Sequence, residues 1–204
     1  VDLGGSKIEA AALAADGALL ERRRLPTPQG DYTGTLEQVR RLVTELEANH
    51  GGQASVGIGP PGSLSPADGL MRNANSVCLN GKPLDKDLER ILQRPVRMAN
   101  DADCFALSEA MDGAGRGAHS VFGVIIGTGT GAGIVINRKL LQGPNAVAGE
   151  WGHNPLPWPQ PDELPGPACY CGKRGCIETF LSGPGLSRTH QQVTGPKLEP
   201  DEID

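Results

Sequence analysis

Apolar residues fall in short runs punctuated by glycine and turn-forming pairs, and their spacing switches between strand-like and helix-like along the chain. Runs at 1–3, 8–13 and 19–25 are separated by Gly4-Gly5-Ser6-Lys7 and by Asp16-Gly17, which predicts an antiparallel meander of three strands. Leu36, Val39, Val43 and Leu46 then recur at helical intervals. Thr35 and Gln38 have capping-box spacing and Gly51-Gly52 supplies a stop, so this segment reads as an amphipathic helix covering one sheet face. Residues 56–58 form a short buried strand closed by the GPPG run at 59–62, residues 85–92 a short helix, and 96–99 another strand. After Asn100-Asp101 the pattern is helical again, with Ala102, Phe105, Ala106 and Ala110 on one face, up to a glycine-rich break at 113–117. Asp101 is thereby placed at a strand end and a helix start.

The opening pattern then recurs. A strand at 121–126, the turn Gly127-Thr128-Gly129-Thr130-Gly131, a returning strand at 133–136, the turn Asn137-Arg138-Lys139 and a third strand from Leu140 repeat the first meander. This predicts a duplicated α/β architecture whose two glycine hairpins face each other across a cleft, with one domain over 1–118 and the start of a second, incomplete one over 119–204. The ends agree. Val1 stands directly before Asp2-Leu3-Gly4-Gly5, as if the strand feeding that turn were cut, and the acidic run 199–204 reads as the entrance to a helix that does not follow.

Composition narrows the function. Among 204 residues, 24 Asp and Glu outweigh 19 Lys and Arg, a net charge of -5 that argues against a nucleic-acid surface; the one basic run, Arg22 to Arg24, reads as a solvated strand end. No stretch approaches the roughly 20 apolar residues of a membrane helix and no secretory leader opens the chain, so the reading is a soluble, cytoplasmic protein. Cys78 and Cys104 are expected to be reduced, buried thiols with packing roles.

Four motifs carry chemistry. Cys169, Cys171 and Cys176 in the run CYCGKRGC, with His153 upstream, make a Cys3His set suited to a tetrahedral structural zinc, and Gly172 and Gly175 permit the knuckle to turn. A disulfide would leave one of the three thiols unpaired. Four protein ligands also leave no open position for a catalytic water, which disfavours a zinc hydrolase. Asp2 and the Gly4-Gly5-Ser6-Lys7 tip offer backbone N–H groups, a hydroxyl, an ammonium and a carboxylate suited to Mg²⁺, a plausible phosphate cradle. Gly127, Thr128, Gly129 and Thr130 form a second cradle of the same kind. Asp101 is the candidate base for a group presented between them, and Glu150, His153 and Glu178 cluster beside the metal knuckle as readers of sugar hydroxyls.

Taken together, DLGGSK at 2–7, GIGPPG at 57–62, NDADC at 100–104, GTGTGAG at 127–133, GEWGH at 149–153 and CYCGKRGCIE at 169–178 resemble the ROK family of bacterial sugar kinases and repressors, over nearly the whole chain. Residues 73–88 and 149–159 look most like its fructokinase (mannokinase-like) branch. The resemblance implies an actin-like, hexokinase-type α/β fold of two domains around a cleft, with the second truncated. It implies Asp101 as general base; Pro61, Gly62, Asn75, Asn100, Glu150, His153 and Glu178 along the sugar; and Asp2, Gly4 to Lys7 and Gly127 to Thr130 on the phosphates of MgATP. His153 would both touch sugar and, with the three cysteines, hold a structural Zn²⁺. Ser6 stands where the family usually has threonine, and the family's adenosine-binding strand and closing helix lie outside this sequence. The implied activity is phosphorylation of the 6-hydroxyl of fructose by ATP in a homodimer, with an N-acetylglucosamine or glucose kinase and a sugar-responsive repressor as alternatives. The repressor reading needs a DNA-reading helix-turn-helix, and none is legible in these residues.

Overall fold

A computed structural model describes residues 1–203. The chain forms two compact units, Val1–Cys104 with Pro144–Ala146, and Phe105–Gly143 with the segment from Val147 on.

In the first unit, β1 (Asp2–Leu3), β2 (Lys7–Leu13) and β3 (Leu19–Pro26) make the antiparallel meander, in spatial order β1-β2-β3. The hairpin between β2 and β3 closes where Gly17 takes φ +89° and Asp16 Oδ1 accepts the Ala18 N–H at 3.0 Å. β4 (Val56–Ile58) pairs in parallel with β7 (Val96–Met98), and a parallel bridge from Asp2 to Gly59 joins β1 to this pair. The bridge is made by Leu3 N–H to Gly59 O at 3.0 Å and Gly59 N–H to Val1 O at 2.8 Å. All three parallel strands therefore end on the same edge, which is where ligand-bearing loops collect in α/β sheets. A small antiparallel pair, β5 (Ser63–Leu64) and β6 (Met71–Arg72), follows the GPPG turn.

Helix α1 (Tyr32–His50) starts four residues before the sequence pattern places it. Asp31, not Thr35, is the N-cap: its Oδ1 accepts the Gly34 N–H at 2.9 Å, while Thr35 is buried in the first turn with its hydroxyl donating to Asp31 O. An aspartate reaches the free N–H groups with a full negative charge, so the earlier cap wins. The helix ends as expected, on Gly51 at φ +74°. Leu36, Val39, Leu42, Val43 and Leu46 are buried in one core with Leu3, Ile8 and Ala10 of the meander and with Leu84, Leu88 and Leu92 of α2 (Leu84–Leu92). Ion pairs tie down the surface. Arg22 and Arg24 pair with Glu9, and Arg23 with Glu21 and Glu45, so the basic run is solvated as expected but lies along β3 with carboxylates beside it.

Arg94, just past α2, makes the best-shielded of these pairs, a two-pronged contact to Glu47 of α1 at 2.6 and 2.9 Å with the two side chains only 12% and 21% exposed. The guanidinium, helped by the Ala54 N–H, holds the Glu47 carboxyl below its usual range. A depressed folded pKa stabilises above the unfolded carboxylate pKa and is lost as pH falls through the folded one. Arg94→Met is expected to cost about 1–3 kcal/mol in urea unfolding at pH 7 and to flatten the loss of stability on acidification below about pH 4.5.

Helix α3 (Asp101–Met111) leads out of the first unit. Ala102, Ala106 and Ala110 are buried as the pattern predicts, but Phe105 is 40% exposed. The helix packs closely on the strand that carries Gly123: a Cβ on that glycine would stand 2.8 Å from the Ala106 methyl and 3.3 Å from the edge of the Phe105 ring, which covers the glycine while its remainder stays open to solvent. The second unit repeats the meander, with β8 (Ser120–Ile126), β9 (Thr130–Ile136) and β10 (Lys139–Leu140) antiparallel in the order β10-β9-β8. Asn137 and Arg138, at φ 49° and 62°, make its tight second turn. Two short helices, α4 (Glu178–Leu181) and α5 (Gly183–Thr194), follow the cysteine knuckle. Cys78 is half-buried against the first core, whereas Cys104 is exposed and not the buried thiol expected. It sits at the start of α3 with Sγ 3.5 Å from Ala99 O. No helix among the described residues is long and apolar enough to cross a membrane.

Candidate active site and metal centre

In the first unit, the predicted residues collect at the common edge of β1, β4 and β7. Gly4 follows β1, Pro61 and Gly62 follow β4, and Asn100 and Asp101 follow β7. Backbone bonds lock the loops together: Asp101 N–H donates to Pro60 O at 3.2 Å and Asn100 Nδ2 to Gly62 O at 3.1 Å. Gly62, at φ +77°, must be glycine, because a Cβ would run into the backbone of residues 72–74. Asn75 joins the same group; a Cβ on Gly5 would lie 3.7 Å from its Oδ1 and 3.3 Å from Ser76 Oγ.

The first cradle is braced from outside. Thr27 Oγ1 donates to Gly4 O at 2.7 Å and Gln29 Nε2 to Gly5 O at 2.6 Å, while Gly4 has no room for a side chain against Lys7 O. Turning the carbonyls toward these donors is what an anion-binding turn needs, since its N–H groups must face the other way. Ser6 and Lys7 are exposed at the tip. Thr27, Gln29 and Ser76 gave no sequence signal as site residues; a loop far along the chain brings them there. They line a cavity of about 420 Å³ together with Gly5 and Asn75.

Asp101 is open to solvent on one side, yet its carboxyl pKa is raised. Burial is the largest cause, opposed by the Ala102 N–H at 2.8 Å and reinforced by the negative charge of Asp2. Ala102 N–H also reaches Asn100 Oδ1 at 2.9 Å, and Asn100 itself favours the Asp101 anion, so burial prevails over both of these donors. A carboxylate made more basic in this way suits proton abstraction. Asp2 is a hard oxygen donor on the same edge, the type of ligand Mg²⁺ takes.

In the second unit, glycines put a loop directly on a strand. Gly149 and Gly152 lie so close to β9 that a Cβ on either would collide with the carbonyl of Ala132 or of Thr130. Glu150 and His153 are delivered on this loop, and a ladder of bonds continues from it to the knuckle: Leu156 N–H to Gly175 O at 3.0 Å, Ile177 N–H to Asn154 O at 2.9 Å, Glu178 N–H to Gly152 O at 2.8 Å. Trp151 turns its ring edge-on to Phe122 of β8 at 6.0 Å, a packing contact.

The four soft ligands converge as the sequence predicts. His153 Nδ1, Cys169 Sγ, Cys171 Sγ and Cys176 Sγ all lie within 4.8 Å of one another. His153 Nδ1 is 3.5 Å from Cys169 Sγ, and Cys171 Sγ is 3.6 Å from Cys176 Sγ. A zinc tetrahedron with Zn–S bonds of about 2.3 Å has sulfur-sulfur edges of about 3.8 Å, so this donor set fits the ion in both type and size. Burial and the neighbouring sulfurs push the Cys176 thiol up to about 12. The other ring nitrogen of His153, Nε2, is 3.0 Å from Tyr170 Oη. Such a partner fixes which imidazole nitrogen faces the metal. Tyr170, between the first two cysteines, is another residue the sequence reading did not single out.

Glu178 is found where the sequence does not place it, on the second glycine turn. Its Oε2 accepts the Thr130 N–H at 2.9 Å, and a Cβ on Gly129 would stand 2.8 Å from the same oxygen. The turn itself is pinned by Gly127 N–H to Gly129 O at 2.9 Å and by Gly183 N–H to Gly127 O at 2.8 Å.

The ROK family profile matches residues 1–204. An N-acetyl-D-glucosamine kinase of Pectobacterium atrosepticum is 42% identical over 201 residues, covering 97% of this chain and 66% of that protein. The N-acetylgalactosamine kinase AgaK of Shewanella sp. is 41% identical over 197 residues, covering 96% of this chain and 64% of that protein. The ROK hexokinase of Thermus thermophilus superposes with a TM-score of 0.81 at 32% identity, over 97% of this chain and 64% of that one. The chain thus spans about two thirds of the length of each. The fold is the actin-like, hexokinase-type α/β fold that the sequence predicts. Neither curated relative is a fructokinase, and the fructokinase-branch expectation finds no support in them.

Proposed function

Because this chain belongs to the ROK family, we propose that the full-length protein is an ATP-dependent hexose kinase and that its substrate is an N-acetylated hexosamine, N-acetylglucosamine foremost, rather than fructose. The observation that carries the reading is Asp101, a carboxyl with a raised pKa on the sheet edge that also bears the Gly4–Lys7 cradle, Gly62, Asn75 and Asn100. The two curated relatives, both kinases of N-acetylated hexosamines, support the choice of sugar.

In this reading Asp101 accepts the proton of the sugar 6-hydroxyl as that oxygen bonds the γ-phosphorus of ATP and the bond to the β,γ-bridging oxygen breaks. Asn75, Asn100, Gly62, Glu150, His153 and Glu178 hold the sugar; Gly4 to Lys7 and Gly127 to Thr130 hold the phosphates. Mg²⁺ entering with ATP supplies charge neutralisation, and Asp2 is the carboxylate offered to it. Zn²⁺ on His153, Cys169, Cys171 and Cys176 is structural: it fixes the loop that carries Glu150 and the segment that carries Glu178. Most of the acceleration then comes from positioning and charge, as is usual in phosphoryl transfer.

The test is ADP release by the full-length protein with N-acetylglucosamine, N-acetylgalactosamine, glucose, mannose and fructose. N-acetylglucosamine is expected to give the highest kcat/KM, with fructose lower by about 10-fold or more, since a site built for a hydrogen-bonding group leaves its partners unpaired when that group is missing. A preference for fructose would restore the branch first read from the sequence, and no sugar-dependent ADP release from any of the five would remove the kinase reading.

A further inference from the structure

Thr130 holds two donors at the second glycine turn, and they are in opposite states. Its N–H is bound by the Glu178 carboxylate at 2.9 Å, while its hydroxyl, on a residue only 5% exposed, has no hydrogen-bond partner among the described residues. Glu178 also lies near Tyr170 of the cysteine knuckle, where, after burial, its negative charge helps to raise the phenol pKa. An anion therefore already sits on the turn proposed to bind ATP phosphates, and it leaves a buried hydroxyl unsatisfied that a phosphate oxygen would satisfy.

Resting on the kinase reading, we infer that Glu178 is a resident anion of the nucleotide turn and that sugar binding releases it. A carboxylate and a phosphate compete for the Thr130 N–H because both are anionic acceptors and like charges at one donor repel. A sugar hydroxyl offers Glu178 a new donor, and drawing the carboxylate toward it vacates the Thr130 N–H and turns the hydroxyl toward the incoming phosphate. Nucleotide affinity then depends on sugar, an ordered binding that protects ATP from being held next to water in the absence of acceptor. By linkage the nucleotide strengthens sugar binding by the same factor.

The experiment is calorimetric titration of full-length protein with magnesium and the non-hydrolysable ATP analogue AMPPNP, with and without N-acetylglucosamine. The wild type is expected to bind the analogue about 10-fold more tightly with sugar, within the ordinary range of coupling. Glu178→Ala is expected to reach that tighter affinity without sugar, although it loses sugar binding. An unchanged or weaker sugar-free affinity in Glu178→Ala overturns the inference, because the carboxylate would then prop the turn rather than block it. Should that variant not fold, the Thr130 amide resonance of the wild type decides: N-acetylglucosamine alone must move it upfield as the carboxylate leaves, and an unmoved resonance overturns the inference. A wild type that binds no analogue under either condition counts against the kinase reading, while the amide shift still tests the release of Glu178.

Discussion

Asp101→Asn in the full-length protein is expected to lower kcat by about 100-fold or more, with KM for sugar changed only a few-fold, since general-base removal typically costs 10²–10⁴-fold. Asparagine keeps the shape and the hydrogen bond from the Ala102 N–H, so loss of turnover reports the missing proton acceptor and not a collapsed loop. Stability is expected to move the other way. The folded pKa of Asp101 lies above its usual value, mainly from burial. The native state therefore holds that proton more tightly than the unfolded chain does; the stabilisation is present at low pH and is lost as pH rises through the folded pKa. At pH 7 the ionised carboxylate is a net cost, increased by Asp2. Asp101→Asn should accordingly melt at the same temperature as wild type or higher at pH 7, with that advantage fading on acidification. Wild-type kcat/KM should rise with pH through the raised Asp101 pKa, a limb the variant lacks. A variant retaining more than about a tenth of wild-type turnover would falsify the general-base assignment.

Removing zinc is expected to have the largest effect on stability. Metal analysis of the purified protein should find one zinc per chain, and prolonged chelation, or Cys176→Ser, should lower the melting temperature by about 10 °C or more. That figure corresponds to a loss of about 3–5 kcal/mol at ~2–4 °C per kcal/mol for a chain of this size, a modest share of what zinc contributes to small metal-dependent domains. Cys176 is the informative ligand because it is 1% exposed and lies in the stretch that pairs with Pro155, so its loss reaches both the loop of His153 and the helix of Glu178. Sugar affinity should fall with it, whereas the Arg94–Glu47 tie in the other unit should be untouched. Absence of zinc together with an unchanged melting curve after chelation would end the metal assignment.

Local chemistry was legible wherever it is written in consecutive residues. The two meanders follow from apolar runs broken by glycine turns, and the metal centre from ligand types whose spacing leaves few other uses. Helix α1 shows the limit even there: capping-box spacing pointed to Thr35, but Asp31 had the stronger acceptor and took the cap. Phe105 shows another, since an apolar residue on an apolar face covers Gly123 with one ring edge and leaves 40% of its surface exposed.

The sequence by itself determined the architecture class and the place of Asp101 between a strand and a helix, because each depends on neighbours a few residues away, and it named the four side chains of the candidate metal site by their ligand type. Only the tertiary structure decided that Asp2 raises the pKa of Asp101, that Thr27 and Gln29 hold the first cradle open, that Tyr170 backs His153, and that Glu178 lies on the Thr130 amide. Those pairs are separated by many residues of chain, and a charge or a hydrogen bond acts through distance in space, which no spacing along a sequence records.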